Sequence, residues 1–225
     1  MICIKNLTKS YHNSQNISVI LDDSNLEVNK GEWCSIVGPS GTGKSTLLNC
    51  LSGIQSPTSG EILINNKSIF SLNEEERSNF RRLNIGFVFQ DFKLLPHYTV
   101  LDNVMLPLTY DIPATVLRNR AIDLLNEVGI HKNLFQRLPE SLSGGEKQRV
   151  AIARSLIADP SILLCDEPTG NLDAENRNKI ISILLNVKNN GKTVVVVTHD
   201  NQVAAVGDMT YELKEKKLKE LLVSS

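Results

Sequence analysis

The sequence is short of several things, and each shortage narrows the field. It has almost no charge imbalance: 24 Lys and Arg against 25 Asp and Glu leave a formal net charge of −1 over 225 residues. Such a balance gives no whole-chain attraction to nucleic acid or to an anionic membrane surface. Cysteine is sparse and scattered (Cys3, Cys34, Cys50, Cys165), with no C-x-x-C pair, and three of the four sit in apolar strand-like or helix-like runs. Buried, reduced thiols are expected, not disulfides or a metal site. No apolar run approaches the roughly 20 residues a membrane helix needs. Met1 to Lys5 lacks the charged and long apolar regions of a signal peptide. If the protein acts at a membrane, another chain must span it. Internal repeats and low-complexity segments are absent. The length suffices for one large α/β domain or two small lobes with real cores.

What is present starts with Gly38-Pro39-Ser40-Gly41-Thr42-Gly43-Lys44-Ser45. An apolar run, Trp33 to Val37, precedes it and reads as a buried strand. Thr46 to Leu51 follows and reads as a helix closing near Gly53. Strand, glycine-rich loop and helix are the context of a phosphate-binding P-loop. Glycines let backbone N–H groups converge on an anion, and a helix N-terminus adds unpaired donors and positive potential. Lys44 can reach β- and γ-phosphates, and the Ser45 hydroxyl can ligate Mg²⁺. A ligand-free αβ turn is the plainer alternative.

Around this loop the pattern is α/β. Ile2 to Leu7 and Val19 to Val28 read as strands of an antiparallel sheet with one wet face, joined through a polar turn at Tyr11 to Asn16. Glu61 to Ile64 is a short strand turned by Asn65-Asn66. Asn73 opens a helix with Glu74 to Glu76 in its first turn and Arg81-Arg82 in its last, matching the helix dipole. Ile85 to Phe89 is a buried strand ending at Gln90. From about Phe92 to Ala158 strand signals vanish. Thr99 to Leu106 and Ala114 to Val128 read as helices of an inserted lobe, the second with Leu117, Ala121, Leu124, Leu125 and Val128 on one face. The core resumes with the strand Ser161 to Cys165, the helix Ala174 to Val187 and the valine-rich strand Lys192 to Thr198. A short helix near Gln202, strands around Tyr211 and Lys217, and a solvated charged tail at Lys214 to Lys219 complete it.

Two further stretches carry chemistry. Asp166 and Glu167 stand at the end of a buried strand, where ligands of open α/β sheets bind. Asp166 is placed to hold Mg²⁺ and Glu167 to act as general base, its proton affinity raised by its acidic neighbour. The bland alternative is an acidic pair opening the loop into Pro168. Leu142-Ser143-Gly144-Gly145-Glu146 precedes a helix from Lys147 to Ile157. Ser143 and Glu146 form a capping box. A cap alone does not call for two glycines, which cost up to about 1 kcal/mol each in a helix. Close backbone approach to an anion does, so a second phosphate-binding helix start is expected here.

As an ordered set these runs resemble the ATP-binding-cassette (ABC) ATPases, over nearly the whole chain. Leu142 to Glu146 is similar to the signature motif that other P-loop classes lack. The resemblance implies an α/β P-loop NTPase core with a mostly parallel sheet, an N-terminal antiparallel β-subdomain and an inserted helical lobe. Residues 1–90 and 159–225 would form the core, and 91–158 the lobe. It also implies ATP and Mg²⁺ as ligands, with Tyr11 stacking on adenine, residues 38–46 cradling phosphates, and Ser45, Gln90 and Asp166 around the metal. Gln90 would also touch the attacking water and sense a transmembrane partner. His199 would contact the γ-phosphate, and Asn171-Leu172-Asp173 would communicate between two nucleotide sites. Ser143, Gly144, Gly145 and Glu146 of one copy would close the site of another. Singly, each has a plain alternative: a surface tyrosine, a strand-end glutamine, a turn aspartate, a helix-capping histidine.

Pro168 to Asp173, Phe87 to Gln90, Leu94-Leu95-Pro96 and Asn103-Val104 are similar to one branch: macrolide-exporter, lipoprotein-release, bacitracin-resistance and cell-division ATPases. The implied protein is a Mg-dependent ATPase pairing with a second copy and an integral-membrane permease at the cytoplasmic face, with no nucleic acid. The alternative is a soluble cassette acting on DNA or ribosomes without a permease. Yet the lobe shows no sustained heptads, and the chain has one cassette. Two departures from the family pattern are Cys165, where small or aliphatic residues are common, and the absence of a glycine turn within Tyr211 to Lys219.

Overall fold

The computed structural model describes residues 1–13, 16–170 and 172–221. Strands β1 (Ile2–Asn13) and β2 (Asn16–Val28) form a long antiparallel hairpin. It runs further than the sequence suggests. Tyr11 and His12, expected in a turn, pair with Ser18 and Ile17; ladder pairing overrides their weak strand propensity. Ser14 and Gln15 of the expected turn lie outside the described residues. The imperfect alternation of β2 has a cause in the register shifts of this ladder, with Asn6 and Asp23 at positive φ.

Strand β3 (Trp33–Val37) leads through the glycine-rich loop into helix α1 (Lys44–Leu51). Strands β4 (Ser59–Ile64) and β5 (Lys67–Ser68) turn at Asn65 and Asn66, both at positive φ, and complete a four-stranded antiparallel sheet, β2-β1-β4-β5. Helix α2 (Glu74–Asn84) starts at a capping box: Asn73 Oδ1 accepts from Glu76 N, and Glu76 Oε2 accepts from Asn73 N. Strand β6 (Ile85–Val88) ends one residue before Phe89.

No strand occurs between β6 and Ile162 among the described residues. The segment holds α3 (Val100–Met105), a 3₁₀ turn at Leu106–Leu108, α4 (Ala114–Glu127) and α5 (Gly144–Leu156). The expected helix from Thr99 to Leu106 is therefore shorter, because Pro107 ends the α ladder. On α4, Leu117, Ala121 and Leu125 are buried, with Leu124 only partly so. Strand β7 (Ile162–Asp166), helix α6 (Ala174–Asn189), strand β8 (Thr193–Val197), helix α7 (Asn201–Ala204), strand β9 (Met209–Lys214) and strand β10 (Lys217–Leu221) complete the chain. The charged tail is thus a β-hairpin. Glu215 and Lys216 turn it at φ 50° and 68° without glycine. The Lys216 carbonyl anchors that turn, accepting from Asp22 N (2.8 Å) and Ser24 Oγ (3.3 Å).

The second sheet runs β10-β9-β3-β8-β7-β6, parallel except for β9–β10. All five residues of β8 are buried, as both faces are covered. Val194 and Val196 face a core shared with α3 to α6; Val195 and Val197 face one shared with α1 and the antiparallel sheet. Cys34, Cys50 and Cys165 are buried free thiols as expected, and Cys3 is half-buried. Burial pushes the Cys34 and Cys165 thiols far up and that of Cys50 to about 11.

Candidate active site

The glycine-rich loop is shaped before any ligand is considered. Gly43 precedes α1 at φ 106°, and a Cβ there would stand 2.5 Å from Ile20 Cγ2. Both the dihedral and the space call for glycine. With glycine at that position, no side chain caps α1, so its first amides stay free to meet an anion. Lys44 is 6% exposed, and its Nζ donates to the carbonyls of Gly38 (2.7 Å) and Pro39 (2.9 Å). Thr42 Oγ1 donates to the Pro39 carbonyl at 2.9 Å. The loop thus wraps a buried ammonium held by carbonyls, and among the described residues no carboxylate pairs with it.

Strands β3, β8, β7 and β6 are parallel neighbours, so their carboxyl ends share one edge. That edge gathers most of the candidates. A cleft of about 390 Å³ is lined by Ser40, Gly41, Gly43 to Thr46, Gln90, Asp166, Glu167 and His199. A cavity of about 630 Å³ adjoins it, sharing Gln90 and Asp166 and reaching Gly144 and Leu172.

Asp166 Oδ1 is buried and has no hydrogen-bond partner. Burial raises its proton affinity; Ser45 and Lys44 oppose the rise, while Glu167 and Asp91 add to it. At Asp166 the acidic neighbour thus adds to the rise, as the adjacent pair suggests. The Glu167 side chain is 11% exposed, and its Oε2 lies 2.8 Å from His199 Nδ1 and accepts from His199 N at 3.3 Å. Glu167 itself sits at φ 47°, with its N–H bonded to the Val197 carbonyl at 2.9 Å. A non-glycine residue there is strained by about 1–2 kcal/mol. With the backbone so turned, the side chain meets His199.

The donor set fits magnesium. Among the described residues no three His, Cys, Asp or Glu gather to hold a metal. Magnesium needs no such cage, because it keeps waters and binds through one or two protein oxygens and substrate phosphates. The orphaned Asp166 oxygen and the nearby Ser45 hydroxyl are such oxygens.

The second glycine pair lies outside the 390 Å³ cleft, with Gly144 on the wall of the adjoining 630 Å³ cavity. Ser143 Oγ caps α5, accepting from Glu146 N at 3.3 Å and donating to Glu146 Oε2 at 2.7 Å. Partial burial opposes ionisation of Glu146, but these Ser143 bonds prevail and hold its carboxyl below the usual range. The reason for glycine differs between the two positions. A Cβ on Gly145 would meet Asn176 Oδ1 of α6 at 2.4 Å, so an intramolecular contact requires glycine there. Gly144 is exposed and a Cβ would find ordinary contact with Leu172. Asp173 caps α6, accepting from Asn176 N and Nδ2, which lowers its carboxyl pKa. Asn171 lies outside the described residues.

Tyr11, Gly38, Pro39, Thr42, Ser143, Gly144, Gly145, Glu146 and Asp173 do not line the 390 Å³ cleft. Tyr11 stands on β1, 39% exposed, its hydroxyl donating to Gln55 Oε1 at 2.8 Å. Three contributors were not evident in the sequence. Ile20 walls the cleft and sets the space at Gly43, Asp91 adds its charge to Asp166, and Asn176 joins α5 to α6. Asp91, beside Gln90, had a positional signal; Ile20 and Asn176 had none.

A family model described as "ABC transporter" matches residues 21–170. Among curated relatives, the uncharacterized ABC transporter ATP-binding protein MJ0796 of Methanocaldococcus jannaschii is 44% identical over 96% of this chain and 94% of its own. The lipoprotein-releasing system ATP-binding protein LolD of Psychrobacter arcticus is 43% identical over 90% of this chain and 91% of its own. A dimeric, post-hydrolysis structure of the MJ0796 cassette bound to ADP and Pi superimposes with a TM-score of 0.93, at 41% identity and 98% coverage of both chains.

Proposed function

This chain belongs to the ABC transporter family, and on that premise we propose that it is the ATP-hydrolysing subunit of a membrane export or resistance complex. The observation that carries the reading is one cleft holding the P-loop lysine, the orphaned Asp166 oxygen and the Glu167–His199 pair. ATP is the substrate, and water is the nucleophile. Lys44 and the α1 amides would neutralise charge on the β- and γ-phosphates. Magnesium, when bound, would neutralise the phosphate oxygens further, with Ser45, Asp166 and Gln90 as the residues to hold it. Glu167 takes the proton of the attacking water as its oxygen bonds to the γ-phosphorus, and the bond to ADP breaks. His199 holds Oε2 of Glu167 and so orients the base. Gln90, at the turn after β6, would align the water.

The other wall of the site would come from a second copy. Ser143 and Gly144 are exposed at the start of α5 and outside the cleft, and the solved MJ0796 cassettes are dimeric. Tyr11 would stack on adenine and Asp173 would serve at the dimer contact. We divide the chain into a core, 1–90 with 159–225, and a helical arm, 91–158, that passes closure to a permease. Among the described residues no helix is long and apolar enough to cross a membrane; the chain would sit beside a permease, on its cytoplasmic face. LolD relatives of lipoprotein-releasing systems favour a lipid-anchored or peptide cargo recognised by that permease. Replacing Glu167 by Gln tests the chemistry: steady-state hydrolysis should vanish while ATP binding persists and an ATP-bound dimer accumulates. Retained turnover would refute Glu167 as base.

A further inference from the structure

We propose that Arg154 is a positioning residue: it clamps the turn that presents Gln90 and so couples the signature helix to the nucleotide cleft of its own chain. Phe92 and Lys93 are consecutive non-glycine residues in the left-handed region, at φ 62° and 47°. Such a pair persists only where the surroundings enforce it. Besides the turn's own bonds, one guanidinium holds both carbonyls of the pair. Arg154 Nη2 donates to the Phe92 carbonyl at 2.6 Å and Nη1 to the Lys93 carbonyl at 2.5 Å. Arg154 is half-buried, and among the described residues no carboxylate pairs with it. Its charge is directed wholly at two backbone oxygens in a forked geometry that guanidinium is built to supply. Burial lowers its pKa.

The clamped residues close a tight turn. Phe92 N donates to the Phe89 carbonyl at 3.1 Å, enclosing Gln90 and Asp91, and Lys93 N donates to the Asp91 carbonyl at 2.6 Å. Fixing the carbonyls at 92 and 93 therefore fixes the direction in which Gln90 leaves β6. Arg154 stands in the last turn of α5, and Ser143 caps its first. The helix between them is about 16 Å of regular backbone. A displacement of Ser143 by a partner copy would thus be delivered at Arg154 and so at Gln90, without passing through the P-loop.

The proposal rests on the reading of Gln90 given above, and a double-mutant cycle on ATP turnover of the full chain separates the two. Gln90→Ala, Arg154→Met, Arg154→Lys and the Gln90→Ala/Arg154→Met pair are compared with the wild type. Arg154→Met should lower kcat about tenfold, with KM for ATP within about twofold, and should add nothing to Gln90→Ala. Arg154→Lys, whose ammonium can serve one carbonyl well but not both as a fork, should recover part of the loss. Losses that multiply in the double variant would overturn the clamp, as would a change in KM with kcat intact. If Arg154→Met does not fold, Arg154→Lys in the same cycle decides by the same criterion. A silent Gln90→Ala would overturn the role of Gln90 and the clamp with it. Loss in Gln90→Ala with none in Arg154→Met would overturn the clamp alone.

Discussion

Replacing Asp166 by Asn should make the free protein more stable and the nucleotide-bound protein less so. In the free chain the Asp166 carboxylate is withdrawn from water, with one buried oxygen unpartnered, and it faces the charges of Glu167 and Asp91. Ser45 and Lys44 offset part of this, yet the carboxyl pKa remains raised. Loss of charge relieves the burial and the repulsion, and it also gives up the smaller favourable influence of Ser45 and Lys44 on the carboxylate, about 1 kcal/mol for a charge-assisted polar contact. Because the first effects outweigh the second, a net gain of about 1 kcal/mol is expected, or 2–4 °C in Tm for a chain of this size. The sign follows from linkage. A folded pKa above the unfolded one means that the folded state binds the proton more tightly. Stability is therefore lost as pH rises from the unfolded value through the folded one, and the loss persists at neutral pH. The Asn variant should escape it, so its advantage should appear above about pH 4 and persist at pH 7.5. With Mg-ATP at 100 times Kd the wild type gains about 2.7 kcal/mol, and the variant should gain far less. Melting curves at pH 7.5 with and without Mg-ATP should thus reverse their order. The same order under both conditions would refute the view that this oxygen is held, at the expense of free-state stability, for a metal–nucleotide ligand.

Gly43→Ala should destabilise the fold by about 2–5 kcal/mol in urea titrations, combining left-handed strain with the clash at Ile20; Ile20→Ala should recover the clash but not the strain, and simple additivity would contradict this. Gly145→Ala should lose about 1–3 kcal/mol by forcing α5 from Asn176. Asn176→Ala in the same chain should restore most of that stability by chemical denaturation. No restoration would return the glycine requirement to the anion.

The P-loop, Asp166 and Glu167 were legible because each motif is consecutive and stands at a strand end. The parallel sheet was legible for a similar reason: Lys192 to Thr198 reads as a valine-rich strand, and its Thr193 to Val197 forms β8 with all five residues buried. What escaped depends on partners far away in sequence. Tyr11 and His12 look like turn residues until Ser18 and Ile17 pair with them. Glu215 and Lys216 give no turn signal, since glycine is absent and the positive φ values are upheld by contacts from Asp22 and Ser24. At Gly145 the sequence suggested one cause for glycine and the packing of Asn176 supplies another. The hold of His199 on Glu167 spans 32 positions and has no local signature.

The central claim is that each catalytic site is completed by a second copy, with Lys44 from one chain and Ser143 from the other. Lys44→Ala and Ser143→Arg should each abolish ATP hydrolysis alone. Mixed in equal amounts, they should form heterodimers with one intact site, restoring about a quarter of wild-type turnover in a symmetric pair. A mixture as inactive as its components would contradict the shared site.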